Sequence, residues 1–235
     1  MNQTDKAFQA EVFRNFLIEE GCAFSQDLAN NFLSEAEFYL KTIEEFIAKK
    51  KDDEIRALEQ EVSRLPESRK YDFWADHYPI HWENIFEKQL RSSFVIALVA
   101  FLEDYVKTVC SEVSTIQRVN ENSYDWHNKI LNEASKFLKK QSGFSEPGDQ
   151  EWNYLFNLYH LRNVLVHSGG SLRARNTSEL RKFIAKEAGV SEEYGFIKLE
   201  RVFCFKSLEA VRQAVLKIQV QQSALCQNAT RLQLC

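Results

Sequence analysis

Turn-forming residues are scarce: the 235-residue chain holds seven Gly and three Pro. So few breakers leave little room for the many short strands of a sandwich or barrel, and long helices are the expectation. The longest apolar run, Phe94 to Leu102, falls far short of the ~20 residues a membrane span needs. The five cysteines are odd in number and scattered, with no C-x-x-C pair. The opening MNQTDKAFQAEVF lacks the basic stretch and apolar core of a secretory signal. These absences predict a cytoplasmic protein with reduced thiols and no membrane association, in which the N-x-S/T triplets at Asn2, Asn176 and Asn228 carry no meaning. There is also no phosphate-binding glycine loop, no G-x-S-x-G elbow and no H-E-x-x-H. A net charge of −4 argues against a surface that coats nucleic acid all over.

What is present is apolar bulk: 44% hydrophobic residues, with eighteen Phe, eight Tyr and four Trp, enough for a sizeable core. The apolar spacing predicts a short helix over Asp5 to Glu20 that Gly21 would end, then a longer one from Ser25, a candidate N-cap. Ile55, Leu58, Val62 and Leu65 continue the pattern past the charge run KKKDDE to Pro66, so 25–65 reads as one long helix or a hairpin. Together 1–66 forms a helical arm packed on a bundle over 67–222, and 223–235 is an unassigned tail. Ser68 to Trp82 gathers rings around Pro79 and reads as an aromatic connector rather than a base-stacking platform. His77 and His81 flank Pro79, which argues against a regular helix; no metal site and no cofactor are expected.

Glu83 to Val113 is apolar around most of its circumference and therefore an interior helix. Glu103 and Asp104 follow its apolar run, so a carboxylate there needs a polar or cationic partner. Ile116 to Trp126 reads as a polar connector, Asn128 to Gln141 as another helix, and Ser142 to Asp149 as a loop whose Asp149 can cap the next helix. Further on come a short helix over Ser178 to Ala188 closed by Gly189, one or two short strands within Gly195 to Phe205, and a final helix from Ser207 to about Gln222. The fold class is all-α: an antiparallel helical bundle with a short β-hairpin near 195–205.

One segment concentrates chemistry. Trp152 to Gly170, WNYLFNLYHLRNVLVHSGG, is an amphipathic helix running into a double-glycine stop. Helical periodicity puts Phe156, His160, Asn163 and His167 on one face, and Leu155, Leu158, Leu165 and Val166 on the other. Arg162 is displaced from His167 by roughly 140°, so a straight helix does not stack the two. From His160 to Lys186, the six cations Arg162, Arg173, Arg175, Arg181, Lys182 and Lys186 face Glu179 alone, a local charge of +5. Histidine can take or return a proton near neutrality, and Arg can hold a phosphate and stabilise charge on a phosphorane. Asn163 can orient the imidazole or bind a phosphate oxygen.

Arg162-Asn163-Val164-Leu165-Val166-His167, followed by Ser-Gly-Gly, resembles the R-N-x-x-x-H signature of HEPN domains. The upstream FVIALVAFLEDYVKTVC and the downstream GFIKL segment with its terminal helix are also similar to that family, and the resemblance covers Tyr71 to Gln222. It implies an all-α bundle and a metal-independent endoribonuclease of toxin–antitoxin or anti-phage defence type. Arg162, Asn163 and His167 would be catalytic, with His160 and Glu103 as auxiliary candidates. Arg173, Arg175, Arg181 and Lys182 would be candidates for RNA binding. The implied partners are RNA, a second copy forming a homodimer, and a cognate antitoxin or defence protein. The alternative is a catalytically silent HEPN module that serves as an adaptor or ligand-sensing dimerisation unit. Members paired with nucleotidyltransferase antitoxins carry Tyr two residues after the His; here Gly169 stands there, so regulation through that tyrosine is not implied.

Overall fold

The computed structural model describes residues 3–119, 130–141, 149–173 and 177–231, with backbone alone at 3–15, 17–19, 149 and 228–231. It is all-α apart from one small hairpin. In chain order the elements are α1 (Gln3–Val62), α2 (Glu67–His77), a wide π-type turn (Trp82–Glu87) leading into α3 (Lys88–Gln117), α4 (Ile130–Lys140), α5 (Asp149–Ser168), α6 (Ser178–Ile184), β1 (Val190–Glu193), β2 (Phe196–Leu199) and α7 (Arg201–Arg231). Among the described residues, no helix is long and apolar enough to cross a membrane.

Helix α3 is the interior element. Leu98, Val99, Leu102, Val106, Val109 and Val113 are all essentially inaccessible to solvent, and α1, α4, α5 and α7 pack around them. Side-chain pairs give the directions. Ser25 meets Glu112, Phe32 stacks on Phe101, and Glu44 meets Arg91, so α1 runs antiparallel to α3. Gln26 bonds Gln222 and Glu37 bonds Arg212, so α7 is antiparallel to α1 as well. Tyr154 against Ser207 and Glu151 against Lys217 set α5 antiparallel to α7. Ala29, Leu33 and Leu40 of α1 belong to the same continuous core as α3 and α5.

Several expectations change. Gly21 does not end a helix: α1 is continuous for 60 residues, through Gly21, Ser25 and the charge run. A mid-helix glycine costs about 1 kcal/mol relative to Ala, and the packing of Cys22, Ala29, Leu33 and Leu40 outweighs it. Ser25 is not a cap; its hydroxyl donates to the Cys22 carbonyl one turn back. The strands lie earlier than predicted, at 190–199, in the register Val190 to Leu199 and Glu193 to Phe196. They turn through Tyr194 and Gly195, both at positive φ (+52 and +84), as a two-residue hairpin of matching twist requires. Phe203 and Phe205 are therefore helical, because α7 begins at Arg201. Their spacing to Leu208 and Val211 follows the helix period, with Phe203, Leu208 and Val211 buried. At its far end α7 passes residue 222 and reaches Arg231. The connector expected over 116–126 begins later, because α3 runs to Gln117; its 120–126 part, the loop at 142–148 and the Asp149 side chain proposed as a cap lie outside the described residues.

The segment around Pro79 forms α2 and the π-type turn. His77 Nδ1 donates to the Phe73 carbonyl (2.9 Å), and the Trp82 indole donates to Glu54 (2.7 Å). His81 Nε2 stands 3.4 Å from the same Glu54 carboxylate, so Trp82 and His81 bind α1 to the turn that leads into α3.

One half-buried acid lacks a cation among the described residues. Glu112 accepts hydrogen bonds from Ser25 (3.3 Å) and Gln222. Burial raises its carboxyl above the ordinary range, and the two hydrogen bonds only partly oppose this. A raised folded-state pKa means the native state binds the proton more tightly than the unfolded state, so stability falls as pH rises through that pKa. Glu112→Gln is expected to raise the thermal midpoint at pH 8 by about 2–4 °C, the equivalent of about 1 kcal/mol in a chain of this size. The gain should shrink as pH falls below the raised pKa, as read by thermal melts across pH.

Candidate functional site

The site is built at the C-terminal end of α5. Trp152, Leu155, Leu158, Leu161 and Leu165 bury one side of this helix. Val166 was expected to join them but is 46% exposed, because the bundle no longer covers the last turn. The helix stops where Gly169 and Gly170 take left-handed φ of +57 and +83, a conformation glycine adopts without steric penalty. The Gly170 N–H then folds back onto the Val164 carbonyl at 3.1 Å. The chain passes directly into the hairpin: Ile197 N–H donates to Gly170 O and Leu172 N–H to Gly195 O, both at 2.8 Å. The end that carries His167 is thus tied to β2 rather than frayed.

Arg162 projects from the buried side of α5 toward α3. Its Nη2 donates to Glu103 Oε2 at 2.6 Å, and its Nη1 to Asn163 Oδ1 at 2.9 Å. The guanidinium lies 5.9 Å from the Tyr159 ring centre, and its buried Nε–H has no hydrogen-bond partner among the described residues. The side chains of this pair are only 21% and 10% exposed. Burial raises the Glu103 carboxyl above its ordinary range, and the Arg162 charge pulls the other way. Of Glu103 and Asp104, one carboxylate was expected to need a polar or cationic partner; Glu103 has one in Arg162.

The other motif residues face outward. His160 and His167 are exposed, and Asn163 is half-buried. His160 meets the edge of Tyr159, with ring centres 5.7 Å apart; His167 has no hydrogen-bond partner among the described residues. Arg162's hydrogen bonds go to Glu103 and Asn163, and among the described residues none joins it to His167. The structure brings together Arg162, Asn163, Glu103 and Tyr159, and leaves His160 and His167 on an adjoining open face. Tyr159 was missed by the sequence reading, although its place three residues before Arg162 puts the two on neighbouring positions of the helix.

The basic residues beyond α5 are largely engaged. Arg181 pairs with Glu192 and also donates to the Leu172 carbonyl at 2.8 Å. Lys182 pairs with Glu179 at 2.7 Å. Arg173 donates to Tyr194 O (3.0 Å) and lies over the Phe196 ring; Arg175 lies outside the described residues. The local excess of +5 is thus partly balanced by Glu103 and Glu192, both distant in sequence. No group of three or more His, Cys, Asp or Glu side chains among the described residues could hold a metal ion.

The chain matches no protein-family model, no curated protein and no solved structure.

The ion pair makes a specific energetic claim. Glu103→Ala should leave a half-buried guanidinium without its anion and lower the unfolding free energy by about 3 kcal/mol, the lower end for a broken buried pair. Adding Arg162→Ala should recover much of that loss. Urea unfolding of the two single variants and the double variant measures the coupling.

Proposed function

We propose that the chain is a metal-independent endoribonuclease of HEPN type, with Arg162, Asn163 and His167 as its working residues. The observation that carries this reading is the end of α5. There an Arg held by an acid and an Asn borders an accessible His on a helix end locked by two glycines and a hairpin. The R-N-x-x-x-H order followed by Ser-Gly-Gly supports the same reading.

In this chemistry the RNA 2′-oxygen bonds to the adjacent phosphorus and the bond from phosphorus to the 5′-oxygen breaks. The products are a cyclic phosphate and a free 5′-hydroxyl. One proton leaves the 2′-hydroxyl and one reaches the departing 5′-oxygen, and an exposed imidazole can do either task near neutrality. Arg162 stabilises the charge that builds on the phosphorane oxygens. Because Arg162 and His167 are separated around the helix, a second copy of the chain completes the site. Exchange of Glu103 for a phosphate oxygen would free Arg162 for that role, since both anions suit the guanidinium fork. The setting that fits is toxin–antitoxin or anti-phage defence, with RNA as substrate.

A second reading follows from a specific observation: Arg162 already has Glu103 and Asn163 as partners, and Arg181 and Lys182 are paired. A chain so arranged would serve as a silent HEPN module that binds a partner or ligand.

A nuclease assay with chelator present separates the two. The first reading expects RNA cleavage that falls by roughly 100-fold or more in His167→Ala and Arg162→Ala, the usual scale for losing an acid–base group. Cleavage unchanged in both variants would remove the site assignment, and inactivity of the wild type would favour the silent module.

A further inference from the structure

Polar side chains set the register of α1 against α7, and that register brings two thiols together. Gln26 Nε2 donates to Gln222 Oε1 at 3.1 Å, Gln219 Nε2 to Asn30 Oδ1 at 3.3 Å, and Arg212 Nη2 to Glu37 Oε2 at 2.7 Å. In an antiparallel pair, each turn toward the start of one helix meets a turn toward the end of the other. Cys22 stands four residues before Gln26, and Cys226 four residues after Gln222. A step of four keeps a side chain on the same helix face, so the two cysteines occupy the next level of the same contact. Their sulfurs are 2.7 Å apart, and both residues are nearly closed to solvent, at 4% and 5% exposure. A disulfide of about 2.05 Å asks for a movement of less than about 1 Å.

This end of the bundle has reason to be tied. Glu112 of α3 enters the same level, where it accepts from Ser25 and Gln222 without a cation, and burial raises its carboxyl. The direct side-chain ties between α1 and α7 here, through Gln26, Asn30, Gln219, Gln222 and Ser223, join uncharged groups. Such bonds add little once their exchange with water is counted. Cys22 and Cys226 are 204 residues apart, so a bond between them closes most of the chain into one loop. Cross-links that close long loops restrict the unfolded chain most.

We propose that Cys22 and Cys226 are an oxidation site, a thiol pair that hydrogen peroxide converts into a disulfide stapling α1 to α7. One sulfur, as its thiolate, attacks a peroxide oxygen; the O–O bond breaks, and the departing hydroxide takes up a proton as water. The sulfenic acid so formed is attacked by the second sulfur. The S–S bond forms, the S–O bond breaks, and the hydroxide leaves as water with the second thiol's proton. Two thiols and one peroxide thus give one disulfide and two waters, with two electrons passing from sulfur to oxygen. A thiol reductant reverses the change by exchange. The contact with Cys226, and then burial, hold the Cys22 thiol far above its ordinary range. The closed pair is therefore neutral and unreactive, and oxidation proceeds when the helix ends open locally. The site involves neither Arg162 nor His167, so its failure and the failure of the nuclease reading are distinct results.

The test treats the reduced full chain with hydrogen peroxide, maps its cysteines by mass spectrometry of a non-reduced digest, and melts the intact protein. One cross-linked peptide pair, Cys22 to Cys226, should appear with the loss of two hydrogens. The thermal midpoint should rise by about 5–10 °C on oxidation and return when dithiothreitol is added. Cys22→Ala and Cys226→Ala should show no rise with peroxide, each variant being compared with its own untreated sample. In urea the same treatment should scatter the pairing among the five cysteines, because thiols so far apart in sequence seldom meet in an unfolded chain. Any of four results overturns the proposal: both thiols remaining free, either cysteine bonded mainly to a third, a midpoint that oxidation leaves unchanged, or a rise that persists in Cys22→Ala. The same product mixture in urea as in buffer overturns it too.

Discussion

Covering α3 is the constraint on which the rest of the structure depends. A 30-residue helix that is apolar around most of its circumference cannot face water along its length. Each fully buried Leu, Val or Phe contributes about 1.5–3 kcal/mol relative to exposure. No single helix can cover it, so α1, α4, α5 and α7 each take a sector. The bundle follows from that need, and α5, whose end carries the motif, is one of the covering helices.

Apolar burial has no direction, so it does not by itself decide how far one helix slides along another. Polar groups on α3 do so at three heights. Near its start Arg91 holds Glu44 of α1 through two bonds, 2.8 and 2.9 Å, and reaches the Leu199 carbonyl at the end of β2. At mid-length Glu103 holds Arg162 of α5. Near the far end Glu112 accepts from Ser25 of α1 and Gln222 of α7. A slip of one helical turn, about 5.4 Å, would strand a buried charge at one of these levels. The same pair that fixes the register of α5 also sets the direction of Arg162, so fold and candidate site share an interaction.

The parts of the site that could be read beforehand are those governed by local geometry. The face shared by His160, Asn163 and His167, and the glycine stop after them, depend only on helix periodicity and on the freedom of glycine at positive φ. That one of Glu103 and Asp104 needs a polar or cationic partner was legible as well, since a carboxylate next to an apolar run is costly alone. Val166 was misassigned because periodicity identifies a side of a helix and not where its neighbours end. The hairpin was displaced because Phe203 and Phe205 alternate like a strand over so short a window; the Tyr194-Gly195 turn was the better signal. Gly21 looked like a stop because its propensity was weighed without the packing on either side of it.

The sequence by itself determined an all-α chain, an interior α3, and an α5 with His160, Asn163 and His167 on one face, because spacing along a helix is set by the backbone. Only the tertiary structure decided where Arg162 points and which basic residues remain unbalanced. Glu103 and Arg162 are 59 residues apart, and Arg181 finds Glu192 across the start of the hairpin. Charge counted along a chain takes no account of such partners. Packing chooses them, because a charge carried into a bundle must meet its opposite there or lose more in desolvation than burial returns.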